Sequence, residues 1–84
     1  MNKILIKYRG HLSSLTGMEE EKLEAVDVKS VLKSIRQRHG REAEKTAKAM
    51  LIALNGESIL LLKRYNTVLK DGDVISFFPL CAGG

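Results

Sequence analysis

The sequence has no tryptophan, one proline, one cysteine and four aromatic rings in all, Tyr8, Tyr65, Phe77 and Phe78. Each shortage excludes something. A single cysteine, Cys81, cannot cross-link the chain to itself, which fits a reducing compartment. Zinc-ligand spacing is missing as well, because His11 and His39 stand 28 positions apart and neither has a cysteine beside it. Four scattered rings supply no stacking platform for single-stranded nucleic acid. No apolar run reaches the roughly 18 to 20 residues that a membrane helix needs. The opening MNKILIKYRG is interrupted by Lys3 and Lys7, so no signal peptide is predicted and the expected location is the cytoplasm. Gly10, Gly17 and Gly40 form neither GxGxxG nor GxxxxGK, so the chain is not expected to bind ATP itself.

What remains is 84 residues, one domain with room for one sheet and one or two helices. The net charge is +4, from 14 Lys and Arg against 10 Asp and Glu. All of that excess lies between Asp27 and Lys48, where seven basic residues face three acidic ones, while the rest balances at seven against seven. Phosphates could bind such a segment, but without interleaved aromatics a solvated face, or one that docks an acidic protein, is the better reading.

Periodicity supplies the elements. KILIKY, residues 3–8, sets Ile4, Ile6 and Tyr8 against Lys3, Leu5 and Lys7, a first and central strand. RGHLSSLTG reads as a loop with a short helical turn. MEEEKLEAV is expected to be a solvent-facing second strand, in a hairpin with the first. DVKSVLKSIRQRHG is the clearest helix, with Asp27 as N-cap, Val28, Val31, Leu32 and Ile35 on one face and Gly40 at its end. A short second helix over residues 41–48 follows, then an apolar strand over 50–54 closed by the Asn55-Gly56 turn. ILLLKR is expected as a short strand, YNTVL as a connection, and Asp71-Gly72 as a turn into a final strand over 73–78. The sum is an α+β domain: a mixed four- to five-stranded sheet with one main helix packed on one face.

Catalytic machinery is thin. His11, Ser13 and Ser14 share a loop without any orienting partner, and His39 fits a cation at a helix C-terminus. ISFFPLCAGG, residues 75–84, is different. Pro79 cannot donate to a ladder and releases the chain from the sheet. The folded domain is therefore expected to span 1–78 and an extended tail 79–84, whose six residues reach roughly 20 Å. Gly83 and Gly84 have no Cβ and can pass a constriction that other residues cannot. The tail reads as a substrate presented to other enzymes.

LIALNG followed by LKDGDVISFFPLCAGG resembles the MoaD/ThiS family of small sulfur carriers, which share the β-grasp fold of ubiquitin. The Phe-Phe-Pro places the resemblance nearer to MoaD, the small subunit of molybdopterin synthase, than to ThiS, the carrier of thiamine synthesis. The resemblance implies a cycle. An E1-like adenylating enzyme of the MoeB/ThiF type uses ATP to adenylate the Gly84 carboxylate. Sulfur from a donor such as a cysteine desulfurase or rhodanese then displaces AMP to give a thiocarboxylate. In the MoaD case the tail enters the large, MoaE-type subunit of molybdopterin synthase, and the sulfur builds the dithiolene that later holds molybdenum or tungsten. The chain itself would hold no cofactor or metal and would act as the sulfur-donating subunit.

Residue by residue, the resemblance makes Gly84 the sulfur-bearing group and Gly83 its threaded neighbour. Phe77, Phe78, Pro79, Leu80, Cys81 and Ala82 are the candidate partner-binding residues. Adjacent residues on a strand point to opposite faces, so one phenylalanine is expected in the core and the other in an exposed apolar patch. Leu80 and Cys81 depart from the residues commoner in MoaD tails, and Cys81 reads better as a small apolar filler than as a sulfur-handling thiol. Alternative readings are another carrier of the same fold, a ubiquitin-like protein modifier, and, in a different class, a basic nucleic-acid-binding module.

Overall fold

The structure is a computed structural model that describes residues 2–80. Five strands and three helices alternate along it: β1 (Lys3–Tyr8), α1 (His11–Thr16), β2 (Glu20–Glu24), α2 (Val28–His39), α3 (Arg41–Lys48), β3 (Leu51–Leu54), β4 (Glu57–Ser58) and β5 (Val74–Phe78).

The strands form one sheet in the order β2-β1-β5-β3-β4. β1 and β5 run parallel at its centre, with Ile6 opposite Ile75 and Tyr8 opposite Phe77, and the other pairs are antiparallel. A parallel pair requires a long crossover, and here everything from α1 to β4 supplies it. The helices cover one face of the sheet, as expected of a ubiquitin-like β-grasp domain. Ile4, Ile6 and Tyr8 of β1, Ile75 and Phe77 of β5 and Ile52 of β3 meet Val28, Val31, Leu32 and Ile35 of α2, and Leu12, Leu23, Ala25, Ala43, Ala47, Ile59 and Leu69 complete the core.

Local chemistry fixes the ends of the elements. Asp27 Oδ1 accepts from the Ser30 amide at 2.8 Å and from Ser30 Oγ at 2.6 Å, capping α2. Gly40, at φ +97, ends it with a bond from its amide to the Arg36 carbonyl. Two turns that lie far apart in the sequence are locked together. The Asn55 amide donates to the Val74 carbonyl at 2.8 Å, the Val74 amide donates to Asn55 Oδ1 at 2.9 Å, and Asn55 Nδ2 donates to Asp73 Oδ1 at 3.0 Å. The Asn-Gly and Asp-Gly-Asp motifs thus jointly set where β5 begins, and so where it releases the chain.

Two expectations are corrected. ILLLKR is not a strand: the Asn55-Gly56 turn, with φ of +51 and +87, pairs Leu54 with Glu57 and Ala53 with Ser58, so β4 is Glu57–Ser58. Ser58 Oγ then accepts from the Leu60 amide at 3.2 Å and bends Ile59–Leu61 into a 3-10 turn. β2 pairs antiparallel with β1 in the expected hairpin, closed through α1, but it is not wholly solvent-facing, since Glu21 and Leu23 turn inward opposite Ile6 and Ile4. Among the described residues no helix is long and apolar enough to cross a membrane.

Candidate functional site

β5 delivers the chain to the site, and its alternation divides the two phenylalanines. Phe77 is fully buried, its ring stacked on Tyr8 with centroids 6.3 Å apart. It therefore offers no surface to a partner, which corrects the expectation that it binds one: it anchors the root of the tail. Phe78 points the other way, 41% exposed, and stands opposite the exposed Leu51 of β3. The expectation of one core ring and one surface ring is met in that order.

Beyond β5 the chain passes a tight contact. Gly10 sits between β1 and α1 at φ +61 and ψ −139, a backbone conformation that side-chain-bearing residues rarely adopt. A Cβ there would lie 3.0 Å from Pro79 Cγ. Pro79 is thus seated against bare backbone. Leu80 then lines a groove of about 430 Å³ with Lys48, Met50, Leu51, Leu60, Arg64 and Tyr65. Cys81, Ala82, Gly83 and Gly84 lie outside the described residues.

Behind Phe77 lies a polar knot. Glu21, brought inward by β2, accepts from Tyr8 Oη at 2.7 Å, from His39 Nε2 at 2.8 Å and from Arg38 at 2.9 Å. The His39 ring meets Tyr8 edge to face at 5.9 Å. Burial by itself would raise the Glu21 carboxyl, but the hydrogen bonds from His39, Tyr8 and Arg38 outweigh it and hold the group below its ordinary value. Burial first, and then the bond to the Glu21 carboxylate, push the Tyr8 phenol far up, so it stays a donor. His39 does stand at the C-terminus of α2, and Glu21 is its partner there. The knot ties β1, β2 and α2 together around the ring that anchors β5.

The basic segment resolves into faces. Lys29, Lys33 and Arg36 are exposed on α2, whereas Lys48 belongs to the groove. His11 and Ser14 are exposed at α1, with Ser13 partly so. Among the described residues no group of three or more His, Cys, Asp or Glu side chains is placed to hold a metal ion.

Sequence reasoning missed Gly10, Glu21, Leu51, Leu60, Arg64 and Tyr65. Gly10 had one usable signal, a glycine directly after the first strand, but not the fact that Pro79 would pack on it. Glu21 was hidden in a run of glutamates.

A profile of the ThiS family matches residues 6–84. The chain belongs to the ThiS family. Solved structures agree with this placing in a ubiquitin-like sulfur-carrier family. The small archaeal modifier protein 1 from Methanosarcina acetivorans superposes with a TM-score of 0.87 at 25% identity, over 100% of this chain and 98% of that one. A chain from a complex of subunits 1 and 2 of the molybdopterin-converting factor from Helicobacter pylori gives 0.70 at 28% identity, over 98% and 99%. A putative molybdopterin-converting factor subunit 1 from Pyrococcus furiosus gives 0.73 at 26% identity, over 94% and 98%. No curated protein sequence matches the chain.

Proposed function

We propose that this ThiS-family protein carries sulfur on Gly84 as the small subunit of a molybdopterin synthase. The observation that carries this reading is the likeness, over nearly the whole chain, to subunit 1 of the molybdopterin-converting factor at 26% identity, together with a family match that runs through Gly84. The structure supports it physically: a buried Phe77 and a Pro79 seated on Gly10 anchor the root of the tail, and Phe78 stands exposed between them.

Chemistry would be done to the chain by others. A carboxylate is a poor acyl donor, so the Gly84 oxygen first attacks the α-phosphorus of ATP in an E1-like enzyme, releasing pyrophosphate and leaving an acyl-adenylate. A persulfide sulfur from a cysteine desulfurase or rhodanese then attacks the acyl carbon. AMP leaves with the bonding pair of the C–O bond. Reductive cleavage of the resulting acyl disulfide by a thiol leaves the thiocarboxylate, which a MoaE-type large subunit directs at the pterin precursor. Gly83 and Gly84 offer no side chain to obstruct either channel.

The likeness to a small archaeal modifier protein favours a second reading, in which Gly84 is joined to lysines of other proteins. Both readings begin with adenylation. ATP–pyrophosphate exchange with the cognate E1-like enzyme tests that shared step: exchange that requires Gly84 is expected, and its absence with a competent enzyme contradicts both. Sulfur transfer to a pterin precursor with the large subunit, without lysine conjugates, then separates the first reading from the second.

A further inference from the structure

The cations of α2 have an arrangement for which the fold itself has no use. Residues 28–39 hold four Lys and Arg, residues 58–70 hold three, and neither stretch contains an Asp or Glu. The two stretches touch: the Val28 amide donates to the Thr67 carbonyl at 3.1 Å, and the 3-10 turn Arg64–Asn66 packs against α2. At about 100° per residue, Lys29, Lys33 and Arg36 share one flank of α2, while Arg38 lies on the opposite flank, where it reaches Glu21. Only Arg38 of the four is spent within the fold. Lys29, Lys33 and Arg36 are exposed, and among the described residues no carboxylate lies within ion-pair distance of them. With a rise of 1.5 Å per residue they form a row roughly 10 Å long. The neighbouring α3 is an ordinary solvated helix by contrast, since its Arg41, Lys45 and Lys48 alternate with Glu42 and Glu44 and Lys48 pairs with Glu44 at 3.8 Å.

α2 covers the sheet face that Phe77 enters, whereas Phe78 points to the other face beside Leu51. A protein that holds the tail from the Phe78 side therefore leaves the cation row of α2 uncovered. The chemistry asks for a second protein at that moment, because an acyl-adenylate survives only in a site that excludes water, so sulfur has to be brought while the tail is still held. The protein that brings it must recognise a surface left free. We infer that a persulfide-bearing donor protein docks on α2 through a row of carboxylates, which Lys29, Lys33 and Arg36 receive. Complementary charge of this kind speeds encounter and fixes register. Nucleic acid carries the same sign, but α2 has no Phe, Tyr or Trp on which a base could stack. The inference rests on the carrier reading and adds to it which surface the donor takes and what charge it brings.

Thiocarboxylate formation on the full chain, with its cognate E1-like enzyme and ATP, tests this by comparing two sulfur sources. One is the persulfide-charged desulfurase or rhodanese that loads the wild-type chain, and the other is inorganic sulfide, which needs no docking. Hydrosulfide attacks the acyl carbon, AMP leaves with the bonding pair and the sulfur-bound proton is lost, so the product is the same. K29E/K33E is expected to raise the donor concentration for half-maximal loading by about tenfold, yet to load from inorganic sulfide at the wild-type rate and to keep the wild-type KM in ATP–pyrophosphate exchange. Loading of the wild-type chain by the donor should weaken with salt, and that of the variant much less, since screening acts on exposed charge pairs. R41E/K45E changes the net charge equally on α3 and should behave as wild type. A wild-type donor dependence for K29E/K33E overturns the inference, as does an equal effect from R41E/K45E, which would report net charge alone. A raised KM in pyrophosphate exchange would give the row to the activating enzyme, and a wild-type dimer that K29E/K33E dissociates would give it to a second copy; either overturns the inference. Should the variant misfold and load from neither source, amide shifts of the wild-type chain decide: shifts at residues 29–36 on titration with the donor support the inference, and shifts there with mixed-sequence RNA but not with the donor refute it. Failure of the carrier reading looks different, since the wild-type chain would then not be adenylated and would take sulfur from neither source.

Discussion

Gly10 and Pro79 pack so closely that a Cβ on the glycine would lie 3.0 Å from Pro79 Cγ, although 69 positions separate them in the chain. The contact joins the end of β1 to the residue that leads the chain away from β5. Together with the burial of Phe77 it fixes the direction in which the tail departs.

Gly10→Ala should therefore do two things. A backbone at φ +61 and ψ −139 costs an alanine roughly 1–3 kcal/mol, and the new methyl pushes Pro79 aside. Gly17→Ala is the matched control, since Gly17 also has positive φ, at +74, but nothing within 4 Å of a Cβ. Both variants should lose stability in denaturant titrations, and only Gly10→Ala should also slow adenylation. Equal adenylation rates would show that the Pro79 seat has no part in presenting the tail.

The two phenylalanines should separate stability from binding. Phe77→Ala empties a fully buried site and should cost about 3–5 kcal/mol. Phe78→Ala removes a ring that is 41% exposed and should cost less than about 1 kcal/mol, while weakening the complex with the partner. Chemical denaturation and a binding titration of each variant check the pair.

Acid should loosen the knot around Phe77. The folded carboxyl of Glu21 lies below its ordinary value of 4.5. The bonds from His39, Tyr8 and Arg38 therefore stabilise the fold fully above about pH 4.5, and that contribution fades as pH falls through the lower folded value. Glu21→Gln should be less stable than wild type at neutral pH and should lose less on acidification. Parallel curves for the two proteins from pH 7 to 3 would contradict this.

Asp27→Ala removes the acceptor that caps α2 and should cost about 1 kcal/mol, read as a shift in the denaturation midpoint. It lies away from β5 and the groove, so adenylation should be unaffected.

The sequence made local patterns legible. Alternation placed Ile4, Ile6 and Tyr8 on one face of β1, the 3.6-residue period placed Val28, Val31, Leu32 and Ile35, and Asp27 and Gly40 marked the ends of α2. Their locations hold because each depends on neighbours within one turn or one strand. The errors fell where distant residues decide. Whether ILLLKR is a strand depends on the cap at Ser58 and on the burial of Ile59 alone among its apolar residues. Glu21 looked like one more surface glutamate because Tyr8, Arg38 and His39, its partners, are 13 to 18 positions away. The tail was legible by its composition, whereas the groove beside it is assembled from four separate stretches of the chain and has no linear signature.

Whether sulfur is loaded on Gly84, as proposed, is read directly from the intact mass of the chain after incubation with the cognate E1-like enzyme, ATP and a sulfur donor. Replacement of one oxygen by sulfur is expected, localised to Gly84 by fragmentation, dependent on ATP and abolished when Gly84 is deleted. An unchanged mass with an enzyme that demonstrably forms the adenylate, or sulfur found on Cys81 instead, would contradict it.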